Sequence, residues 1–304
     1  MNILFHVGSG NTDRPSRWWG VCVHFSNLAR SFESLGHECV LQVHPKAVSA
    51  NIFHRFELSE VAKDSQCNPD VVFTWNGISP GDKAIIDLHP NAIPVYAELG
   101  FFDHYETVYF DFSGTNSRSM NLLEDIDKEF NGLDEEIFNR VKRKYAKYQL
   151  INDYEYVFVP LQDNLDTQIT KYSPFNNMTE FMDWVLDVTK FMGPEVKIVY
   201  KQHPMAPTPI KADPRLIEVK DDVHHYLENA NFVIGCNSSV LFECLLYHNR
   251  IITAGIGLTS RPLNEEDRKA YIIHCYKKQI HQTKLGDPNY IKETWMYKEL
   301  LKKV

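Results

Sequence analysis

Two runs, Val196-Lys197-Ile198-Val199-Tyr200-Lys201-Gln202-His203-Pro204 and Phe232-Val233-Ile234-Gly235-Cys236-Asn237-Ser238-Ser239, decide the fold of this chain. Each begins as a short apolar, strand-like segment and ends in polar residues. In a doubly wound α/β domain the residues just past the strand ends line the ligand crevice. A cationic or proton-donating pair, Lys201 and His203, followed by hydroxyls that open a helix, Ser238 and Ser239, suits a phosphate group. Together the runs suggest a nucleotide-phosphate site and a transferase.

Working outward, strand and helix signals alternate on both sides of these runs. Asn2–Val7 reads as a strand closed by the turn Gly8-Ser9-Gly10-Asn11, a weak phosphate-loop signal that lacks the full dinucleotide fingerprint. Residues 21–35 carry helical spacing with Gly36 as a cap, and strands follow at 39–43, 71–75 and 93–97. A charge-rich helical stretch, 121–150, contains Lys142-Arg143-Lys144, which reads as a solvated face. A second alternation starts at Tyr156–Pro160: helix 179–192, strands 196–200, 217–219 and 232–235, helix 239–247, strand 250–254. Strands separated by helices argue for parallel sheets with right-handed crossovers. The expected architecture is α/β and GT-B-like: two Rossmann-type domains, 1–150 on the acceptor side and 151–304 on the nucleotide-sugar side, their parallel sheets facing a central cleft. The reading leaves open that the last helix packs back on the N-terminal domain.

Length and composition fit this. A chain of 304 residues is comfortable as two domains. Its net charge of −8 gives no reason to expect a nucleic-acid partner. The N-terminus lacks a basic region and no apolar run approaches ~20 residues, so neither signal peptide nor membrane span is expected. The six cysteines show no Cys-x-x-Cys spacing and sit mostly in apolar runs, which suggests reduced core thiols and a cytoplasmic setting. The basic C-terminal segment 297–303 reads as a solvated helix, and peripheral contact with an inner-membrane face or an assembly complex stays open.

Four places carry candidate chemistry. Lys201 and His203 lie on one side of an extended strand and would converge on one anion. Asn237, Ser238 and Ser239 open the apolar helix 240–246, in which Glu243 is out of place, because an unpaired buried carboxylate is costly. Either a ribose diol or a structural hydrogen bond would satisfy it. Tyr156–Asp166 ends a strand with two carboxylates in its loop, where a turn or cap role competes with that of nucleophile, base or sugar anchor. Glu98-Leu99-Gly100-Phe101 follows a strand of the first half, and Glu98 is expected to point across the cleft. Trp18, Trp19, Trp75, Phe101, Phe102 and Tyr105 read mainly as core, with one or two free to stack on a sugar. Asp221-Asp222-Val223-His224-His225 reads as a solvated pre-helix turn, and no metal is expected.

These strings resemble bacterial capsule-polysaccharide and O-antigen β-Kdo transferases, which use CMP-Kdo and have a GT-B-like fold. The resemblance rests on Gln162 to Asp166, on Lys201-x-His203-Pro204, and on Ser238-Ser239 with Glu243. It also rests on residues 250–255 and 257–259, and on Glu98-Leu99-Gly100-Phe101, where Leu99 stands in place of an acidic residue. It implies a retaining glycosyltransferase with Asp166 as nucleophile and Glu98 as general acid/base toward the acceptor. His203 and Lys201 would hold the CMP phosphate with Ser238 and Ser239, Glu243 would bind the cytidine ribose, and Gln162 belongs to the donor set. No cofactor is implied beyond the CMP-sugar donor, and the partners are that donor and a glycan or glycolipid acceptor. Three alternatives stay open: an inverting CMP-sialic acid transferase-like enzyme, a non-catalytic nucleotide-sugar-binding subunit, and an epimerase-like enzyme using a UDP-sugar.

Overall fold

The structure, a computed structural model, describes residues 1–8, 15–43, 56–58, 68–122, 124, 126, 132–146, 153–164, 166–204 and 206–304, with the backbone alone for 15–19, 56–58, 167 and 168. The turn at Ser9 and Gly10, the side chains of Trp18 and Trp19, and Cys67 lie outside the described residues. The chain divides into two compact units, residues 1–120 with 277–304, and residues 121–276.

In the first unit β1 (Asn2–Val7), β2 (Glu38–Val43), β3 (Phe56–Leu58), β4 (Val71–Trp75), β5 (Ile93–Leu99) and β6 (Thr107–Asp111) form one sheet. The second unit holds β7 (Tyr156–Pro160), β8 (Lys197–Lys201), β9 (Leu216–Glu218), β10 (Phe232–Gly235) and β11 (Ile251–Thr253), and β12 (Gln279–His281) returns to the first. The helices used below are α1 (Pro15–Ser34), α2 (Pro80–Leu88), α3 (Gly132–Tyr145), α4 (Thr167–Tyr172), α5 (Met178–Val188), α6 (His224–Leu227), α7 (Ser239–Cys244), α8 (Glu265–Lys278), α9 (Pro288–Ile291) and α10 (Trp295–Lys303).

The first sheet runs β12-β6-β5-β4-β1-β2-β3. Its β5-β4-β1-β2-β3 part is parallel as expected, but β6 and β12 are antiparallel. The expectation of a purely parallel sheet is corrected here. The seven residues between β5 and β6 cannot make a crossover, which takes a dozen or more, so the chain must turn back on itself. One face of this sheet is aromatic: Phe5, Phe73, Phe25 and Phe32 pack between the strands and α1, with Phe5 and Phe73 stacked at 4.7 Å. Gly36, at φ 87°, ends α1 in the left-handed conformation that a glycine C-cap supplies. The C-terminal residues complete this core. Met296, Tyr297 and Leu300 of α10 are buried in it, and the Tyr297 hydroxyl meets His37 Nε2 at 2.9 Å.

The second sheet, β11-β10-β7-β8-β9, is parallel throughout. The apolar side of α5, Met178, Phe181, Met182 and Val185, closes one face over Val157, Val159 and Ile198. The Asn177 side chain caps that helix by accepting from Glu180 N at 3.0 Å. Residues 121–146 group with this unit, whereas the sequence reading set a junction near residue 150. The contacts are polar and specific: Lys269 pairs with Glu135 at 3.3 Å, and the Tyr247 hydroxyl donates to Tyr145 O at 3.1 Å. Arg143 and Lys144 are exposed, the solvated face expected of that basic run. No described helix is long and apolar enough to cross a membrane.

Candidate functional site

Strand order reverses beside β7. The chain leaves β7 for β8 and β9 on one side, then crosses back to β10 and β11 on the other. Such a reversal opens a crevice at the carboxyl ends of the two diverging strands. The ends of β7 and β10 are joined there by one reciprocal amide pair. Gln162 Nε2 donates to Asn237 Oδ1 at 3.2 Å, and Asn237 N donates to Gln162 Oε1 at 3.2 Å. Asn237 Nδ2 reaches on to Ile256 O at 3.4 Å, while Gly255 N donates to Cys236 O at 3.0 Å. The 236–238 turn is thereby held between the loop after β7 and the loop after β11. Gln162, singled out for the donor set, has its amide committed to this clamp.

Ser238 caps α7, its Oγ accepting from Val240 N at 3.2 Å, and Ser239 beside it is exposed. Asp166 stands at the start of α4 and is half-buried. Its carbonyl accepts from Ile169 N and Thr170 N, both at 3.0 Å. Asp163, buried, accepts from Asp166 N through its own carbonyl at 2.9 Å, which closes the loop after β7 into a tight turn.

His203 follows β8 and bridges to Ala206 across the Pro204 turn. Gln202 fixes that turn, donating to Thr208 O and accepting from Thr208 N, both at 2.9 Å. Lys201, expected to meet an anion together with His203, has backbone partners in the loop after β9. Its ammonium donates to Lys220 O at 3.1 Å and to Asp221 O, so it ties down the loop after β9. Two uncapped carbonyls at a strand end attract a nearby ammonium as an anion would.

Glu243 finds a structural partner. Its Oε2 lies 3.0 Å from His224 Nε2, and His224 Nδ1 meets the Tyr247 hydroxyl at 3.1 Å. This corrects the reading of 221–225 as a solvated turn: Asp221 and Asp222 are exposed, but His224 is only 5% exposed. The signal was present in Tyr226 and Leu227, whose burial rotates the single turn α6 so that His224 faces inward. Among the described residues no group of three or more His, Cys, Asp and Glu side chains has the arrangement to hold a metal ion.

In the first unit Glu98 lies within β5, which runs on to Leu99, rather than past its end. The Glu98 carboxylate accepts from Leu99 N at 2.9 Å. Gly100 is required by proximity: a Cβ there would come within 2.0 Å of Thr107 Oγ1 on β6. Gln279 Oε1 accepts from Phe101 N and Phe102 N, both at 3.0 Å, and fixes the backbone after Glu98. Phe101 and Phe102 are buried as core, while Tyr105 is 81% exposed.

Residues 133–262, from α3 to just past β11, match the family described as capsule polysaccharide biosynthesis protein. Protein FixF of Sinorhizobium fredii is 28% identical over 198 residues, 61% of this chain and 48% of FixF, so the chain spans about half the length of that relative. The structure of KpsC from Thermosulfurimonas dismutans, a beta Kdo 2,7 transferase, is similar with a TM-score of 0.55. At 15% identity the match covers 96% of this chain and 100% of that one, a likeness of fold. The match over 133–262 bears out the resemblance to capsule-polysaccharide proteins that the motifs carried, and the likeness to KpsC bears out the mixed α/β, GT-B-like fold.

Proposed function

We propose that this chain transfers Kdo, or a related acidic sugar, from a CMP donor to a glycan acceptor with retention of configuration. The observation that carries the reading is the β7–β10 switch point. Its amide clamp holds the loop bearing Asp166 and the turn bearing Ser238 and Ser239 at adjacent strand ends. In this reading Asp166 attacks the anomeric carbon as CMP leaves, forming a covalent glycosyl ester. Glu98 takes the proton of the acceptor hydroxyl as that ester is displaced. His203 with Ser238 and Ser239 meets the charge that develops on the departing phosphate, an interaction that strengthens in the transition state. Lys201 holds the 220–221 loop beside them. Glu243, oriented by His224, keeps its second oxygen for the cytidine ribose. No metal or further cofactor is assigned, and the partners are the CMP-sugar and a glycan.

The test is trapping. Wild-type protein incubated with CMP-Kdo is expected to show a Kdo adduct by intact mass, absent in Asp166→Ala. An inverted product with no adduct would instead support a single displacement with Glu98 as base. CMP binding without turnover, unchanged in Glu98→Gln, would leave a nucleotide-sugar-binding subunit.

A further inference from the structure

The first unit carries a second polar cluster, at its own switch point. Strands β2 and β3 lie on one side of β1, and β4 and β5 on the other, so the crevice falls at the carboxyl ends of β1 and β4. On the α2 side of the sheet, Leu4 and Val72 pack against Ile85 of that helix. Two residues further along each strand the same face turns polar. Gln42, His6, Thr74 and Tyr96 stand in register across β2, β1, β4 and β5. His6 Nδ1 lies 3.0 Å from Gln42 Oε1, which turns Nε2 toward Gly8.

Three polar atoms then converge over Gly8. A Cβ on this glycine would stand 3.1 Å from Asp82 Oδ1, 3.2 Å from His6 Nε2 and 3.2 Å from Ser79 Oγ. Asp82, at the first turn of α2, is 2% exposed. Its Oδ2 accepts from Ser79 Oγ at 2.7 Å, but its Oδ1 has no hydrogen-bond partner, and neither does the buried Thr74 Oγ1. Buried carboxylate oxygens without a donor are rare because each forfeits its hydration.

The chemistry of the cluster selects its ligand. An acceptor oxygen lacking a donor calls for an O–H or N–H group. A phosphate or carboxylate would meet Asp82 with like charge, and an apolar group would leave Oδ1 as it is. A sugar hydroxyl donates to Oδ1, and its own oxygen can accept from a hydroxyl such as that of Thr74, since the Ser79 proton is already given to Oδ2. Burial also pushes the Asp82 carboxyl up to about 7, against the opposing effects of Ser79 and Arg118, so it exchanges between acceptor and donor near neutrality.

We propose that the Gly8–Asp82–His6 cluster is a sugar-hydroxyl subsite on the first unit, holding the acceptor glycan. The assignment of that sugar as acceptor rests on the glycosyltransferase reading above. The experiment titrates the full chain with methyl glycosides of Kdo, galactose and glucosamine, followed by saturation-transfer NMR and calorimetry. CMP is titrated into the same samples, which reads the donor half separately. At least one glycoside is expected to bind the wild type, and its affinity to fall tenfold or more in both Asp82→Ala and Gly8→Ala, with CMP affinity kept within twofold. Gly8→Ala crowds the approach and Asp82→Ala removes the acceptor, so two unlike changes must agree. Glycosides binding both variants as they bind the wild type, or none binding the wild type, would overturn the proposal and leave a buried water as the occupant.

Discussion

Asp82 is a buried carboxylate and Glu243 a partly buried one, and the protein treats them in opposite ways. Glu243 has a histidine within 3.0 Å, and His224 is itself held by Tyr247, so the carboxylate sits in a chain of partners. Asp82 has one oxygen satisfied by Ser79 and one left bare, and burial dominates its titration. The folded protein therefore holds the Asp82 proton more tightly than the unfolded chain does, between an ordinary value of 3.8 and about 7. Below that window the carboxyl is neutral in both states and costs nothing. As pH rises through it, the unfolded chain releases its proton first, and stability falls. Asp82→Asn removes the titration. Its stability relative to wild type is expected to rise between pH 4 and pH 7.5, at up to ~1.4 kcal/mol per pH unit. Denaturant melts at both ends of the range measure this, and a difference independent of pH would show that the carboxyl is not perturbed.

At the scale of elements, most strands were legible and the edge of the first sheet was not. Val71–Trp75, Tyr156–Pro160 and Phe232–Gly235 stand where their apolar runs put them, because a strand buried in a parallel sheet writes its burial into consecutive residues. The stretch from Asp103 to Ser119 contains β6 and the buried Asp111. That carboxylate accepts from Ser119 Oγ at 2.7 Å and Met120 N at 2.9 Å. Its donors lie in the turns that follow, which no periodicity announces. The β5–β6 contact makes a sharp demand on Gly100, whose missing side chain lets Thr107 approach. Gly100→Ala is expected to destabilise the first unit by ~1–3 kcal/mol through overpacking. Thermal unfolding checks it, and an unchanged Tm would show that the two strands have room to part.

At the scale of the whole molecule, chain order and compact units do not coincide. The last 28 residues group with the first 120, and Leu300 of α10 is fully buried beside Phe32 and Tyr297 in that core. Leu300→Ala is expected to cost ~2–5 kcal/mol by the cavity it leaves. Hydrogen exchange should show the loss as reduced protection of the β1 and β4 amides, and undiminished protection there would make α10 a peripheral attachment. The sequence by itself determined the α/β class, the strands that the candidate site residues follow and the capsule-polysaccharide resemblance. Each of these is written in runs of a few neighbouring residues, where burial and turn chemistry are local. Only the tertiary structure decided that Gln162 clamps Asn237, that Lys201 turns to the 220–221 carbonyls and that His224 answers Glu243. It alone brought His6, Gly8 and Asp82 together. The hydrogen-bonded pairs among them span 19 to 75 positions, and strand order, which no local pattern specifies, is what makes them neighbours.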